Sequence, residues 1–300
     1  TYGENGQLTN LSDAKAMSFD AESLSKSSPE AADLVDALNS MGSQSLGSSL
    51  DMGMLKIDTK PEIKFTAPVM AYGATKHWTF GLGVPVIQYT NEVSMHVEGS
   101  NLEAYKRLGL TGFSQRLDQA LNTDIIAEVR KMLSKKGYKP LTSRDQTFVG
   151  DIQLASLYQI YGGKRTSLLH QLTLSLPTGP KYDADDLLAP NLWGRTSLEN
   201  SLTLGYRMTR SWTVTPWIGM LVYLPDQVDA RVPTSEDDTL PAAEQKQGVR
   251  RQIGTTYKVG NDFNWEMTRS WSTTIGADFS TKGADAYSGD DTHSRYDLLG

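Results

Sequence analysis

The chain has 300 residues, a formal net charge of −6 at pH 7 and no cysteine. The acidic balance argues against binding to nucleic acid, which needs a basic face. The absence of thiols excludes a disulfide framework and cysteine-ligated metals. No run of about eighteen apolar residues occurs, which excludes a transmembrane helix. It does not exclude a transmembrane strand, which needs only about ten residues with alternate ones apolar.

Residues 1–52 are rich in Ser, Asp, Ala and Gly and show no alternation of apolar and polar residues. The chain starts at Thr1 without a charged and apolar leader, so we expect that any signal peptide has already been removed. Two alternatives stand for this segment. It is either a disordered tail or an ordered plug inside a barrel.

Alternation begins abruptly after Gly53, in the segment LKIDTKPEIKFTAPVMAY. One phase is apolar from Leu55 to Ala71, which predicts a strand, because successive side chains point to opposite faces. A second strand from Trp78 to Val86 repeats the pattern after a short turn. The polar phase of the first strand is a ladder of alternating charge, made of Lys56, Asp58, Lys60, Glu62 and Lys64.

This hairpin is followed by three more of the same kind, which predicts eight strands in all, and RYDLLG near the C-terminus is expected to start a ninth. The turns inside the hairpins are short, at 72–77, 162–165, 208–211 and 267–270. The loops between hairpins are long and polar, at about 99–146, 178–196, 226–247 and 283–294. The sequence MTRS followed by Trp occurs twice, and ATKHW at Ala74–Trp78 is a looser copy.

Short turns on one side and long loops on the other are typical of an outer-membrane barrel, with the short turns in the periplasm. Aromatic residues flank the short turns, as expected for rings at the level of lipid headgroups. The predicted girdle is Tyr72, Trp78, Tyr206, Trp212, Trp265 and Trp271. The same scheme predicts that Leu82, Leu174, Leu204 and Ile275 face lipid and that Lys64, Thr173 and Asp278 face inward. A soluble sandwich would bury its aromatic residues in mid-strand instead.

Several segments resemble a known outer-membrane family. They are APVMAYGATKHWTFGLGVPV at 67–86, the Gly150–Asp151 pair that opens a strand, LSLPTG at 174–179 and LGYRMTRSWTVTPWIG at 204–219. The family is the one labelled for the meta pathway of phenol degradation, distantly similar to FadL-type fatty-acid channels. The resemblance implies a barrel for passage of hydrophobic or aromatic solutes, sometimes with an N-terminal plug.

An insertion at about 101–145 departs from that family and predicts a helix that ends at Gly137. Its apolar stripe falls at helical spacing and includes Phe113, Leu117, Leu121, Ile125 and Val129. The stripe is either a local packing surface, the roof of a solute groove or a surface for a partner protein.

Charged residues also line a later predicted strand: Arg250, Lys258, Asp262 and Glu266. Charges are costly on a lipid-facing surface, so both charged sets are predicted to line the lumen. They either pair with one another in a filled barrel or border a polar path for solutes.

His170 and Asn200 break the pattern in the opposite direction, because they fall in phase with leucines that should face lipid. A local phase shift at a bulge would explain them. Contact with another envelope protein is the other explanation.

No catalytic, cofactor or metal site is predicted. Ser94, His96 and Glu98 share a strand face, but residues two apart lie roughly 6–7 Å apart and project in parallel, too far for a nucleophile and its base. Asp183, Asp185 and Asp186 lack the glycine and the bidentate glutamate of a calcium loop.

The sequence therefore predicts an all-β, transmembrane, antiparallel outer-membrane barrel with at least eight strands. The predicted domains are 1–52 and 53–300. The first segment would be a lumen plug, because a chain that starts in the periplasm and enters its first strand from outside must first cross the lumen. Passive uptake of small hydrophobic or aromatic solutes is the favoured function, and a structural barrel that anchors an envelope complex is the alternative. The predicted partners are outer-membrane lipid and lipopolysaccharide, with an envelope protein as a further candidate.

Overall fold

The computed structural model describes residues 17–22, 35–36, 38–40, 46–107, 124–190, 192–236, 238–268, 270–291 and 293–299. The chain divides into two compact units: a first unit of residues 1–62 and 89–145, and a second unit of residues 63–88 and 146–300. This division differs from the predicted one, 1–52 and 53–300. The reason is that the strand starting at Asp51 is paired within the first unit.

The second unit is built on an eight-stranded antiparallel sheet in which neighbours in space are neighbours along the chain. Its strands are β3 (Val69–Gly73), β4 (Trp78–Gly83), β7 (Ile152–Gly162), β8 (Thr166–Leu176), β9 (Ser197–Arg207), β10 (Trp212–Tyr223), β13 (Thr256–Glu266) and β14 (Ser272–Lys282). The four predicted hairpins are therefore confirmed. The predicted ninth strand is wrong, because Tyr296–Leu299 forms a 3-10 helix.

Within the described residues, β3 and β14 are the two edges of this sheet. Closure of the sheet into a barrel is therefore not detected. Both edge strands are exposed along their whole length.

The long loops of the second unit form a small three-stranded sheet, which we call the loop sheet. It consists of β11 (Asp226–Arg231), β12 (Lys246–Gln252) and β15 (Ala286–Ser288). A 3-10 helix at Ala243–Gln245 leads into β12. Ala230, Val232 and Val249 form its buried core.

Two buried arginines anchor the loop sheet. The side chains of Arg231 and Arg251 are each 3% exposed, and a buried charge is costly unless it is paired. Arg231 Nη2 lies 2.8 Å from Asp185 Oδ1, and Lys246 Nζ lies 2.9 Å from Asp185 Oδ2. Arg251 pairs with Asp226. Asp185 thus connects one long loop to another.

A second sheet of the chain has four strands in the order β1-β2-β5-β6. The strands are β1 (Met17–Asp20), β2 (Asp51–Thr66), β5 (Val86–Glu98) and β6 (Arg144–Val149), with helices α1 (Leu102–Arg107) and α2 (Ile125–Lys135) and a 3-10 helix at Gly47–Ser49. Most of residues 1–45 lie outside the described residues. Where the N-terminal segment is described, β1 pairs antiparallel with β2, and the lumen plug stays a prediction.

Helix α2 confirms the described part of the predicted insertion helix. Asp124 caps its N-terminus by accepting a hydrogen bond from the Ala127 amide at 3.1 Å, and Gly137 follows its end with a φ of 77°. Ile125 and Val129 are buried, 7% and 4% exposed. Their assignment to a ligand or partner surface is therefore wrong, and the described part of the stripe is a packing surface. Phe113, Leu117 and Leu121 lie outside the described residues.

We expect Asp185→Asn to loosen the loop sheet. Hydrogen bonds from Lys246 and Arg231 hold the pKa of the Asp185 carboxyl below its usual range, so the carboxylate stabilises the fold while it is charged. Replacing it should lower the free energy of opening of β12 by about 2 kcal/mol. Amide hydrogen exchange of β12 measures this change.

The same pairing makes the loop sheet sensitive to acid. A carboxylate whose pKa is lowered by folding stabilises the fold fully at pH values above its unfolded pKa, which is about 3.9. This contribution is lost as the pH falls from there through the lowered pKa of the folded protein.

Asp290→Asn is the control for Asp185→Asn. It removes the same charge at an exposed position and should leave the amide hydrogen exchange of β12 unchanged. Equal effects of the two variants would contradict the role of Asp185.

Candidate functional site

One face of the eight-stranded sheet is apolar, and we call it the outer face. Paired residues of an antiparallel ladder point to the same side, so the register carries the alternation from strand to strand. One row of successive partners is Leu82, Leu154, Leu174, Leu198 and Val222, and another is Leu202, Ile218, Val259 and Phe279. Leu204 and Ile275 lie on the same face, opposite Leu168 and Phe263.

The opposite face, which we call the inner face, is polar. Lys258, Asp262 and Glu266 lie on it, because they alternate with Val259 and Phe263 of the outer face. Thr173 is paired with Glu199 on the same face, and Lys258 Nζ lies 2.8 Å from Glu199 Oε1. Three of the predicted lumen residues on this segment therefore share one polar surface.

Arg250 does not belong to that surface. It lies in β12, where it is paired with Gln227 and Ser288 of the loop sheet. The segment read as one strand is interrupted between β12 and β13, where the Gly254 amide donates a hydrogen bond to Asp285 Oδ1 at 2.9 Å. The prediction that Arg250 continues the charged strand is therefore wrong.

The first charged ladder lies on β2, which is not a strand of the eight-stranded sheet. Lys56 Nζ lies 2.5 Å from Glu98 Oε2, and His96 lies between Glu98 and Asp58, at 3.0 Å and 3.3 Å. Hydrogen bonds from Lys56 and His96 lower the pKa of Glu98. The ladder is thus paired with β5, and its lining of a lumen stays a prediction.

His96 and Glu98 are closer than the sequence argument allowed. That argument used the spacing of backbone positions, and both side chains are long enough to bend toward each other. Of the remaining ladder residues, Lys60 and Glu62 are exposed in the first unit, and Lys64 is exposed at the end of β2.

The apolar phase of the first strand shifts at Pro68. Met70 is paired with Leu82 and Tyr72 with Phe80, which places Met70 and Tyr72 on the outer face and their neighbours Val69 and Ala71 on the inner face. β2 ends at Thr66 and β3 starts at Val69, so the strand is interrupted at Ala67 and Pro68, where the phase changes. The single phase predicted from Leu55 to Ala71 is wrong.

The predicted girdle residues all lie on the outer face at the end that carries the short turns, and each is at least 40% exposed. The amides of Met208 and Thr209 donate to the carbonyl of Trp212, at 2.9 Å and 3.3 Å. The ATKHW copy and the second MTRS copy make the same two hydrogen bonds to Trp78 and Trp271. The rings of Trp212 and Trp265 stack with centroids 5.3 Å apart.

In the structure, His170 and Asn200 lie on the outer face, as their phase in the sequence predicts. The register of β8 with β9 runs without interruption, with His170 opposite Leu202 and Asn200 opposite Leu172. The irregularity in this part of the sheet lies in β7, between Gln159 and Tyr161. A phase shift in β8 or β9 is therefore wrong as the explanation of these two polar residues.

Trp217 is a residue that the sequence analysis missed. It lies in mid-strand on the inner face, opposite Gly260 and Thr203, and its ring covers Gly260. A Cβ atom at Gly260 would lie only 2.5 Å from Trp217 Cε2, so the glycine is what allows the ring to lie against the wall. The sequence signal that could have identified Trp217 is its position in the strand, because it is a large aromatic residue in the phase opposite to Ile218 and the other apolar residues of the outer face.

Behind this ring, the outer face has a shallow apolar depression of about 240 Å³. Pro216 lies in it, with Leu202, Leu204, Ile218 and Val259 around it. No three His, Cys, Asp or Glu side chains within the described ranges are arranged to hold a metal ion. The helices of the described part of the chain are all too short or too polar to cross a membrane.

No family model matches the chain, and no curated protein matches its sequence. Among solved structures, an outer-membrane channel from Pseudomonas putida F1 is similar, with 14% sequence identity and a TM-score of 0.45. The match covers 83% of this chain and 68% of that one. A likeness of this size does not show a common fold, and the role named for that protein is not transferred to this chain.

We expect single cysteines on the two faces to react differently in a bilayer. Leu174→Cys and Ile275→Cys place a thiol on the outer face, and Thr173→Cys and Asp278→Cys place one on the inner face. Because the chain has no cysteine of its own, a lipid-restricted thiol reagent should modify only the first pair. Equal modification of both pairs would show that the faces are assigned incorrectly.

Proposed function

We propose that the chain is the wall of an outer-membrane β-barrel channel for passive uptake of small hydrophobic or aromatic solutes. The observation that carries this proposal is the two-faced sheet of the second unit. On its outer face, Ile218 is 59% and Phe279 66% exposed. An exposed apolar face of this extent is costly in water and favourable in lipid.

The dimensions of the strands support a membrane. Strands β7, β8, β9, β13 and β14 each have 11 residues, and β10 has 12. A tilted strand needs about 9–11 residues to cross the apolar core of a bilayer. Four of the girdle residues, Tyr206, Trp212, Trp265 and Trp271, lie where these longer strands begin or end, as expected for rings at the depth of the headgroups. Strands β3 and β4 are shorter, with 5 and 6 residues.

A membrane also demands that no strand edge remains open. Lipid offers no partner for backbone N–H and C=O groups, and only closed barrels satisfy all of them. We therefore propose that β3 and β14 are paired in the membrane, either with each other or with further strands. The outer membrane is the location that this architecture implies.

The side chains of the inner face fit the passage of aromatic solutes. Trp217, Leu221 and Tyr223 are large side chains among the Ser, Thr and Gly residues of that face. An indole that lies against the wall offers its flat side to a passing ring, and stacked or edge-on aromatic pairs contribute about 1 kcal/mol. Small polar neighbours leave room beside it.

We expect Gly260→Ala and Trp217→Leu to lower the flux of an aromatic solute. The added Cβ would displace the indole from the wall, and leucine would remove it. Uptake of benzyl alcohol into liposomes that contain the protein should fall severalfold in both variants, compared with uptake of an aliphatic alcohol of similar size.

Gly219→Ala is the matched control on the same face. A Cβ atom there meets its nearest neighbours at 3.6 Å, which is ordinary contact, so uptake should match that of the unmodified protein. If the unmodified protein passes neither alcohol, the channel proposal fails. If Gly260→Ala and Gly219→Ala behave alike, the role of Trp217 fails.

A structural barrel that anchors an envelope complex is the second candidate function. The observation that favours it is the position of His170 and Asn200 on the outer face. Polar side chains within lipid are costly and usually face protein. A partner protein that forms hydrogen bonds with His170 and Asn200 would offset the free-energy cost of placing these side chains in the membrane.

We expect His170→Leu to separate the two functions. If a protein partner binds this patch, the variant should lose a partner that co-purifies with the unmodified protein, because leucine offers no hydrogen bond. Leu174→Ile, a change within the apolar set of the same strand, is the control. Retention of every partner and of solute flux in His170→Leu would remove the support for the anchoring role.

A further inference from the structure

We propose that the short turns of the second unit form a collar that binds the headgroups of anionic phospholipids. The collar consists of exposed cations at the turn tips: Lys76, Lys164, Arg165 and Arg210. The segments 73–77, 162–165, 208–211 and 267–270 contain no Asp or Glu. The inference rests on the proposed membrane location and adds the class of lipid that the protein selects.

The turns present their cations through a repeated geometry. Lys76 and Arg210 occupy the same position in turns held by the same hydrogen bonds. In each turn a threonine hydroxyl accepts a hydrogen bond from the amide two residues later, Thr75 from His77 and Thr209 from Ser211, both at 3.2 Å. Because the backbone and the threonine hold the turn, the basic side chain is available for another function.

The aromatic residues fix the depth of these cations. Trp78 and Trp212 each follow the cation of their turn by two residues and lie on the outer face. Trp and Tyr rings prefer the headgroup level of a bilayer. A long basic side chain beyond such a ring therefore reaches the phosphates, with which charged hydrogen bonds are strong.

The other end of the sheet has the opposite charge. The long loops of the second unit, at 178–196, 226–247 and 283–294, together carry more Asp and Glu than Lys and Arg, and their acidic residues include Asp183, Asp186, Glu236 and Asp238. Antiparallel hairpins place all the short turns at one end and the long loops at the other. An anionic leaflet is therefore attracted to the turn end and not to the loop end, and each cation near such a surface favours binding by roughly fivefold.

The tryptophans allow a direct test, because Trp78, Trp212, Trp265 and Trp271 report the lipid at the turn end. The protein is reconstituted in phosphatidylcholine vesicles that contain either brominated phosphatidylglycerol or brominated phosphatidylcholine, and tryptophan quenching is compared. We expect the anionic lipid to compete at least about fivefold better at low salt. The preference should decline as salt is added.

Two matched variants complete the experiment. Changing Lys76, Lys164, Arg165 and Arg210 to Gln should bring the preference to about one. Changing four exposed cations of the first unit, Arg107, Arg130, Lys131 and Lys135, to Gln alters the net charge equally and should leave the preference intact.

Equal quenching by both lipids in the unmodified protein overturns the collar but keeps the membrane location. No quenching by either lipid overturns the membrane location itself, and the collar with it. Co-sedimentation with peptidoglycan that depends on the four collar cations, with no lipid preference, would assign the turn end to an acidic polymer and also overturn the proposal.

Discussion

Antiparallel pairing carries every second side chain of eight successive strands onto the same side of one sheet, and the other features of the second unit depend on that register. A shift by one residue would move a strand's apolar set to the polar face. The pairing of Leu174 with Leu154 and Leu198, and of Ile218 with Leu202 and Val259, keeps the apolar rows unbroken. The same ladder satisfies the backbone groups between neighbouring strands, which is the condition for placing strands in lipid.

The short turns help to fix this register. A hairpin turn sets which residues face each other, and the three Thr-containing turns close on a tryptophan carbonyl through the same pair of amides. One short sequence therefore does two things at once. It fixes the pairing of the strands that it joins, and it places a tryptophan where each second strand begins, at the rim of the apolar face. The stacking of Trp212 on Trp265 then connects neighbouring hairpins at that rim.

Alternation and turn chemistry were sufficient to predict the four hairpins, the shared face of Leu82 and Ile275, and the position of the aromatic residues beside the short turns. The errors fall where a single residue interrupts a pattern. The phase changes at the interruption between β2 and β3, which contains Pro68, and the interruption at Gly254 separates Arg250 from Lys258. The loop sheet was not predicted because its core has only three residues and its ion pairs join distant loops. Trp217 was missed because its meaning depends on Gly260, 43 positions later in the chain but opposite in space.

The packing of Trp217 bears on whether the inner face surrounds a filled or an open space. In a filled barrel, large side chains stand away from the wall and interdigitate at the centre. Here the indole lies against the wall over Gly260, and the positions around it, Ser201, Thr203 and Gly219, have small side chains. Lys258 likewise pairs along the wall with Glu199. Trp217 and Lys258 both lie along the wall, and this packing supports the proposed channel more than the proposed structural barrel.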